Sequence, residues 1–183
     1  MINPYAIGRS VYMRAPSAAD AAGKWHEWLS DPELTQYLAD RWWPNTVEAQ
    51  MAFFQSTSAT KDRLVLAVCD KATDTHIGVC SLSAINWVHR YADIAFVVGD
   101  PAFRNGAVAV EIMSLLLDVA FNRLNLLNLR SVHLASNPHT PLLERMFGFR
   151  EAGRMREFFF HRGTYVDAVM TQLSRSDWAA RNR

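Results

Sequence analysis

Residues 92–109 read Ala-Asp-Ile-Ala-Phe-Val-Val-Gly-Asp-Pro-Ala-Phe-Arg-Asn-Gly-Ala-Val-Ala. In the first part of this stretch Ile94, Phe96 and Val98 alternate with other residues and so share one face of a strand. The strand pattern stops at Gly99-Asp100-Pro101, and apolar residues at helical spacing begin at Val108. The stretch therefore predicts a strand, a tight loop and the start of a helix.

Small side chains fill the loop, in the run Arg104-Asn105-Gly106-Ala107-Val108-Ala109. A helix start exposes unbonded backbone N–H groups and the positive end of the helix dipole, so small residues there let phosphate oxygens approach. The same residues also suit an ordinary tight turn between a strand and a helix. The residues alone leave both interpretations open.

The rest of the chain alternates helical and strand periodicities, with no internal repeat and no Gly/Ser/Pro-rich linker. The predicted strands are Arg9–Arg14, Leu64–Cys69, Ile77–Leu82, Ala92–Val98, Ser131–Ser136, Arg154–Phe160 and Tyr165–Leu173. The predicted helices run from the Ser17-Ala18-Ala19-Asp20 capping box to about Ser30, from Asp31-Pro32 to Leu38, onward from the Asn45-Thr46 cap, from Val108 to about Arg123, and from Pro138 to Phe147 before Gly148. This order predicts an α+β fold, a mixed sheet with helices on its faces, in one domain over residues 1–183.

Composition argues against several classes of protein. The chain has 183 residues, of which 50% are hydrophobic and 20% charged, with a formal net charge of +1. Without a basic excess we expect no nucleic-acid binding, and the apolar runs are too short to span a membrane. Cys69 and Cys80 are expected to be free thiols in the cytoplasm, and the scattered histidines predict no metal site. Residues 104–183 carry 11 basic and 7 acidic residues, which favours an anionic ligand on that half.

Two motifs at matching spacing resemble the GCN5-related N-acetyltransferase family. Asp93 lies early on the strand, and an Arg-x-x-Gly-x-Ala-like loop starts at Arg104. Asn137 is followed eleven and twelve residues later by Gly148-Phe149. The chain end, from Gly148 through Tyr165-Val166-Asp167, is similar to the branch with ribosomal-protein N-terminal and amino-sugar acetyltransferases. The resemblance implies a central mixed, mostly antiparallel sheet with helices on both faces.

The resemblance also implies a site for acetyl-coenzyme A (acetyl-CoA). Backbone groups of Phe96, Val97 and Val98 would line the pantetheine arm. The loop of Arg104, Asn105, Gly106, Ala107, Val108 and Ala109 would hold the pyrophosphate. Asn137, after the next strand, would lie near the pantetheine arm. Asp93 takes the position of the general base and the Val97 amide that of the oxyanion donor. The family glycine of the loop falls on Ala107, so its detail is expected to differ. The alternative for Asp93 is a structural carboxylate satisfied by Arg90 or by solvent.

Several residues are candidates for the acceptor side. Trp42, Trp43 and Trp87 offer flat faces for an acceptor, although tryptophans of the core or rim would look the same in a sequence. His89 precedes the Asp93 strand. Tyr165 and Asp167 lie on the final hairpin, where Asp167 binds an amine or only pins the hairpin.

Glu144 falls where many family members have the tyrosine that protonates the departing thiolate. Either Glu144 replaces that acid, or it is a helix-surface glutamate and the thiolate leaves to solvent. We expect the second, since the neighbouring Arg145 favours the charged carboxylate and thiols are tolerable leaving groups.

The function implied is direct acetyl transfer from acetyl-CoA to a primary amine, without a metal or an acyl-enzyme. The acceptor would be a small molecule, such as a nucleotide-linked amino sugar, or a peptide N-terminus. The alternative is a non-catalytic module of the same fold that binds coenzyme A or an amine. A homodimer is compatible with either function.

Overall fold

The computed structural model describes residues 1–38 and 42–181. Its strands are β1 Pro4–Ile7, β2 Val11–Arg14, β3 Leu64–Asp70, β4 His76–Asn86, β5 Tyr91–Val98, β6 Asn128–Leu134, β7 Arg150–His161 and β8 Thr164–Ser174. Its α-helices are α1 Ala18–Ala22, α2 Lys24–Ser30, α3 Pro32–Thr35, α4 Val47–Ser58, α5 Gly106–Asp118, α6 Thr140–Phe147 and α7 Arg175–Arg181. A 3-10 turn, Pro101–Phe103, precedes α5, and a π-helical turn, Val119–Arg123, follows it.

The strands form a single twisted layer in the order β1-β2-β3-β4-β5-β6-β8-β7. Neighbours in this sheet pair antiparallel except β5 and β6, which run parallel. A parallel pair needs a crossover, and α5 with its π-helical extension provides it. The predicted mixed, mostly antiparallel sheet is therefore confirmed.

Helices cover both faces of the sheet, as expected. On one face α5 buries Val108, Ile112 and Leu116 against strand residues that include Ile94 and Leu82. On the other face Trp25 and Trp28 of α2 pack with residues of α1, α4 and β3 in a second apolar cluster. Within the described ranges, no helix is long and apolar enough to cross a membrane.

A buried ion pair fastens the first helices to the sheet. The Arg14 guanidinium on β2 donates to both carboxylate oxygens of Asp20 on α1, at 2.6 and 2.8 Å. Ser17 and Asp20 form the predicted capping box, and the His76 ring lies 3.3 Å from the same carboxylate. Burial alone would raise the pKa of Asp20, but the bonds from Arg14 and Ser17 hold it at about 2.

The structure corrects several predicted boundaries. The first helix is interrupted at Gly23, which ends α1 and caps α2, because glycine is a poor helix former. Strand β6 covers Asn128–Leu134, whereas Ser131–Ser136 was predicted. It starts three residues earlier because Asn128, Leu129 and Arg130 pair with β5. It ends two residues earlier because a turn follows, in which the Asn137 backbone amide donates to the Leu134 carbonyl. Strand β1 and helix α7 were not predicted. The Trp178 ring of α7 packs against that of Phe121, with the ring centroids 5.1 Å apart, which holds this helix against the core.

Candidate active site

The two parallel strands at the centre of the sheet separate after a short paired stretch. β5 and β6 pair only at Tyr91–Asn128, Ala92–Leu129 and Asp93–Arg130. Both strands continue beyond this point, β5 to Val98 and β6 to Leu134. The result is a V-shaped opening with its apex at Asp93 and Arg130. Phe96, Val97 and Val98 lie on one arm of the V.

The small-residue loop lies at the open end of the V, where α5 begins. Asn105 is the N-cap of α5, and its side-chain oxygen accepts the Val108 amide at 3.0 Å. The Ala109 amide donates to the Asn105 carbonyl at 3.2 Å, as in any helix. In the described structure no residue accepts from the amides of Gly106 or Ala107. The family resemblance implies that the amides from Asn105 to Ala109 hold the pyrophosphate, and those of Gly106 and Ala107 are the ones left without an acceptor among the described residues.

Arg104 folds back onto the strand that precedes the loop. Its guanidinium donates to the carbonyls of Val98 and Gly99, at 3.2 and 2.6 Å, and lies 3.8 Å from the Asp31 carboxylate. A side chain at Gly99 would collide with the Trp28 ring, so the backbone passes close to α2 here. These contacts fix the loop against both β5 and the helical layer. In this state the Arg104 side chain is occupied by protein partners.

Asn137 follows β6 and begins the opposite wall of the opening. Its carboxamide oxygen accepts the backbone amides of His139 and Thr140, at 2.9 and 3.2 Å. Its amide group donates to the Thr140 hydroxyl at 2.9 Å, and the residue is only 9% exposed. Asn137 therefore orients the start of α6 beside the V.

An ion pair spans the apex. Arg130 on β6 donates through Nε to Asp93 Oδ1 on β5 at 2.8 Å. The proposed alternative, a pair with Arg90, is wrong, because Arg90 instead donates to the carbonyl and side chain of Asn125. The carboxylate nevertheless retains solvent contact, since the Asp93 side chain is 39% exposed.

Glu144 is buried, which corrects the expectation of a helix-surface glutamate. It is 3% exposed and accepts the Thr171 hydroxyl of β8 at 2.9 Å. Its carboxylate also lies 3.6 Å from His133 Nε2, an ion-pair distance beyond hydrogen-bond length. The other ring nitrogen of His133 lies 3.0 Å from the Leu134 carbonyl. Because β8 flanks β6 on the side away from β5, the carboxylate leans away from the V.

Opposite charge outweighs burial at His133. Burial would lower the pKa of the ring, but the Glu144 carboxylate and the Leu134 carbonyl raise it, and the net pKa lies above its usual value. The contact between the buried His133 ring and the buried Glu144 carboxyl group ties α6 to the sheet.

The acceptor candidates do not form one wall. Trp87 and His89 lie in the turn before β5, at the apex end, where the Trp87 ring nitrogen donates to the Lys61 carbonyl at 2.9 Å. Trp42 and Tyr165 lie near the tip of the β7–β8 hairpin, on either side of Phe160, with ring centroids 6.3 and 5.3 Å from it. Strand directions put this tip at the opposite end of the sheet from Trp87. Trp43 is 86% exposed.

Asp167 pins the final hairpin. Its Oδ1 accepts the backbone amide of Glu157 at 3.0 Å, within the irregular pairing of β7 with β8. Glu157 has a positive φ of 50° there, so the side-chain bond supports a bulge. This contact supports the interpretation in which Asp167 pins the hairpin.

Two residues at this centre, Arg130 and His133, were not found from the sequence. Both lie on β6, and the importance of each depends on a contact with another element. Arg130 pairs with Asp93 on β5, and His133 lies beside Glu144 on α6. The sequence places the start of this strand at Ser131, which leaves Arg130 outside it. A correct register for the parallel pair is the signal that would have revealed Arg130.

Comparisons with known proteins agree with this geometry. The acetyltransferase (GNAT) domain family matches residues 10–150. An uncharacterized N-acetyltransferase, p20, from Bacillus licheniformis is 27% identical over 158 residues, covering 84% of this chain and 86% of the relative. A spermidine N(1)-acetyltransferase from Vibrio cholerae serotype O1 is 29% identical over 115 residues, covering 63% of this chain and 66% of the relative.

Solved structures show the same architecture. Spermidine N-acetyltransferase from Vibrio cholerae, in complex with CoA and spermine, superposes with a TM-score of 0.84 at 22% identity. The match covers 93% of this chain and 98% of that chain. Both Vibrio cholerae relatives are spermidine acetyltransferases, and neither belongs by name to the ribosomal-protein or amino-sugar branch that the sequence suggested. The family match over most of the sequence, on the split sheet described above, establishes that the chain belongs to the acetyltransferase (GNAT) family and is an N-acetyltransferase.

Proposed function

We propose that the protein transfers the acetyl group of acetyl-CoA directly to a primary amine bound near Asp93. The observation that carries the proposal is the split between β5 and β6, together with the open amides of Gly106 and Ala107 at its wide end. A strand edge without a partner offers backbone groups to the amides of a pantetheine arm. The solved relative in complex with CoA has the same fold, which supports this placement.

The start of α5 would hold the pyrophosphate. Two open amides and the positive end of a 13-residue helix favour an anion at this position. The Val108 amide joins them only when the Asn105 side chain turns away from it. The edge of Phe96–Val98 and the turn at Asn137 would then flank the pantetheine arm, with the thioester near the apex.

Asp93 and the Val97 amide would serve the acyl transfer itself. The neutral amine nitrogen attacks the thioester carbonyl carbon, and the Val97 N–H stabilises the negative charge on its oxygen. The C–S bond then breaks and coenzyme A leaves as a thiolate, released to solvent. The proton lost by the nitrogen goes to the Asp93 carboxylate, directly or through a water molecule.

The acceptor side is proposed to lie at the apex end of the V, near Trp87 and His89. Tyr165 lies seven residues along β8 from Gln172, which is the partner of Arg130, a separation of about 23 Å at the rise of a strand. The tip aromatics therefore reach only a remote part of a long acceptor. A nucleotide-linked amino sugar and a peptide N-terminus are such acceptors, and the names of the relatives favour polyamines as a second class.

Two further properties are proposed with the activity. The free, buried thiols of Cys69 and Cys80 fit a reducing cytoplasm. A spermidine N-acetyltransferase from Vibrio cholerae is described as dodecameric, and we propose that this chain also self-associates, at least to a homodimer. Light scattering on the purified protein tests that proposal, and a monomer at all concentrations contradicts it.

Thiol release from acetyl-CoA, measured with a panel of primary amines, tests the proposed activity. Asp93→Asn should lower kcat/KM by about 100-fold or more and flatten the acidic limb of the pH profile. Asp118→Asn is a matched control, because that carboxylate contacts only the neighbouring Asn122 among described residues. Near-normal activity of Asp93→Asn at every pH would leave Asp93 only its structural role beside Arg130.

A further inference from the structure

At the apex of the V, the proposed general base Asp93 is already paired with a cationic side chain, Arg130. The Arg130 guanidinium donates to Asp93 at 2.8 Å, and its other side lies over the Tyr91 ring, 4.4 Å from the ring centroid. Its side chain remains 47% exposed, so it faces the solvent from which an acceptor arrives. Carboxylate, guanidinium and aromatic ring thus form one layer across β5 and β6.

The neighbours of this pair in the sheet are neutral. Ser83 of β4 pairs with Asp93, and Gln172 of β8 pairs with Arg130. Paired residues in a sheet point to the same face, so Asp93 and Arg130 are flanked in this row by two neutral side chains. The next residue of the row, beyond Gln172, is Arg150 of β7, whose guanidinium donates to the Asp177 carboxylate at 2.9 Å. An ammonium group that approached Asp93 would meet the guanidinium a few ångströms away, and like charges at that distance repel. A neutral amine meets no such repulsion and can still donate N–H to the carboxylate.

We propose that Arg130 makes the site selective for weakly basic amines, such as an α-amino group or an aromatic amine, over strongly basic alkylamines such as spermidine. This inference rests on the proposed function. An α-amino group has a pKa of about 8, whereas a lysine-like alkylamine has a pKa of about 10.4. At pH 7.5 roughly a quarter of the first is neutral, but only about one molecule in a thousand of the second.

The proton balance of the reaction points in the same direction. An amine that arrives neutral has one proton to lose, which passes to Asp93 after the nitrogen attacks the carbonyl carbon. An alkylammonium must lose a second proton before its nitrogen has a lone pair. Asp93, already bonded by Arg130, would have to accept both in turn and release the first to solvent.

A comparison of two acceptors that differ in basicity tests the proposal. Thiol release at pH 7.5 is measured with a dipeptide amide and with spermidine, on the purified full chain. The wild type should prefer the dipeptide amide by about 100-fold or more in kcat/KM. Arg130→Gln should lower the ratio of the two kcat/KM values at least tenfold. Arg130→Lys keeps the positive charge and should preserve most of the ratio. Arg156→Gln removes an exposed charge from the edge strand β7 and should leave the preference unchanged.

The outcomes separate this inference from the proposed function. If spermidine is the better acceptor and Arg130→Gln leaves the ratio unchanged, the inference is wrong while the acetyltransferase stands. The same holds if Arg156→Gln changes the ratio as much as Arg130→Gln, because the effect is then one of overall charge. If neither acceptor nor any other amine is acetylated, and acetyl-CoA does not bind, the proposed function itself fails.

Discussion

Glu144→Gln probes a buried carboxylate that takes the position of a catalytic acid in the family pattern. The substitution keeps the shape of the side chain and an acceptor for the Thr171 hydroxyl, but it removes the negative charge 3.6 Å from His133. Removing one partner of a buried ion pair costs about 3–5 kcal/mol when the other charge is stranded. His133 can instead release its proton to solvent and become neutral, so we expect a loss of about 2 kcal/mol in unfolding free energy.

The loss should depend on pH. The folded-state pKa of His133 lies above its usual 6.5, so the stabilisation from its proton is fully present below pH 6.5. It disappears as the pH rises through the folded-state pKa. Urea unfolding should therefore show a larger difference between wild type and Glu144→Gln at pH 6 than at pH 9. Glu151→Gln, at an exposed carboxylate that pairs with Arg154, is the control and should change stability little.

Catalysis should change much less than stability. Because the Glu144 carboxylate is held by Thr171 of β8 and lies beside His133 of β6, we expect that it does not protonate the thiolate. We expect kcat to fall less than tenfold, measured by thiol release at saturating acetyl-CoA. A loss above 100-fold, with unchanged unfolding and unchanged binding of acetyl-CoA, would refute this reasoning and make Glu144 the acid.

Three more predictions concern the loop and the first helices. Ala107→Pro removes an open amide at a position in the first turn of the helix, where proline is tolerated. Calorimetry should therefore show that acetyl-CoA binds more weakly, by about 30-fold or more. The control Gly106→Ala adds a methyl group in open space and should change the affinity less. Asn105→Gly frees the Val108 amide, so the Kd for acetyl-CoA should fall severalfold at a cost of a few tenths of a kcal/mol in stability. Asp20→Asn should destabilise the protein by about 2 kcal/mol at pH 7 and progressively less as pH falls from 4 towards 2, because a carboxylate with a depressed pKa stabilises only while ionised; unfolding followed across that range checks it.

Local signals in the sequence predict much of the fold. The Ser17 capping box, the Thr46 cap and the helix end at Gly148, with a positive φ of 89°, all occur where the residue types indicated them. Each depends on a few neighbouring residues, so no tertiary information is needed. The alternation of Ile94, Phe96 and Val98 likewise placed one face of β5 on the α5 core.

Features that depend on distant pairing were not predictable in this way. Strand β1 consists of Pro4–Ile7, and only its antiparallel partner β2 makes it a strand. On α6 the exposed residues include Leu142 and Met146, at 61% and 59% exposure, while Glu144 is buried. Leu143 and Phe147 of the same helix pack against the main core as usual, but Glu144 beside them is buried because the strands beneath α6 present His133 and Thr171. A single helix sequence cannot reveal that its partners are polar.

The loop shows why a recognised motif does not give the state of a site. The first backbone amides of a helix require hydrogen-bond acceptors whether or not a ligand is bound there. In this chain Asn105 satisfies one of them with its own side chain, so a phosphate of acetyl-CoA bound at the proposed position would compete with the carboxamide for the Val108 amide. Glycine at position 105 would leave that amide open at all times. With the proposed binding mode, the asparagine would lower the free energy of cofactor binding, and in return it caps α5 whenever the cofactor is absent.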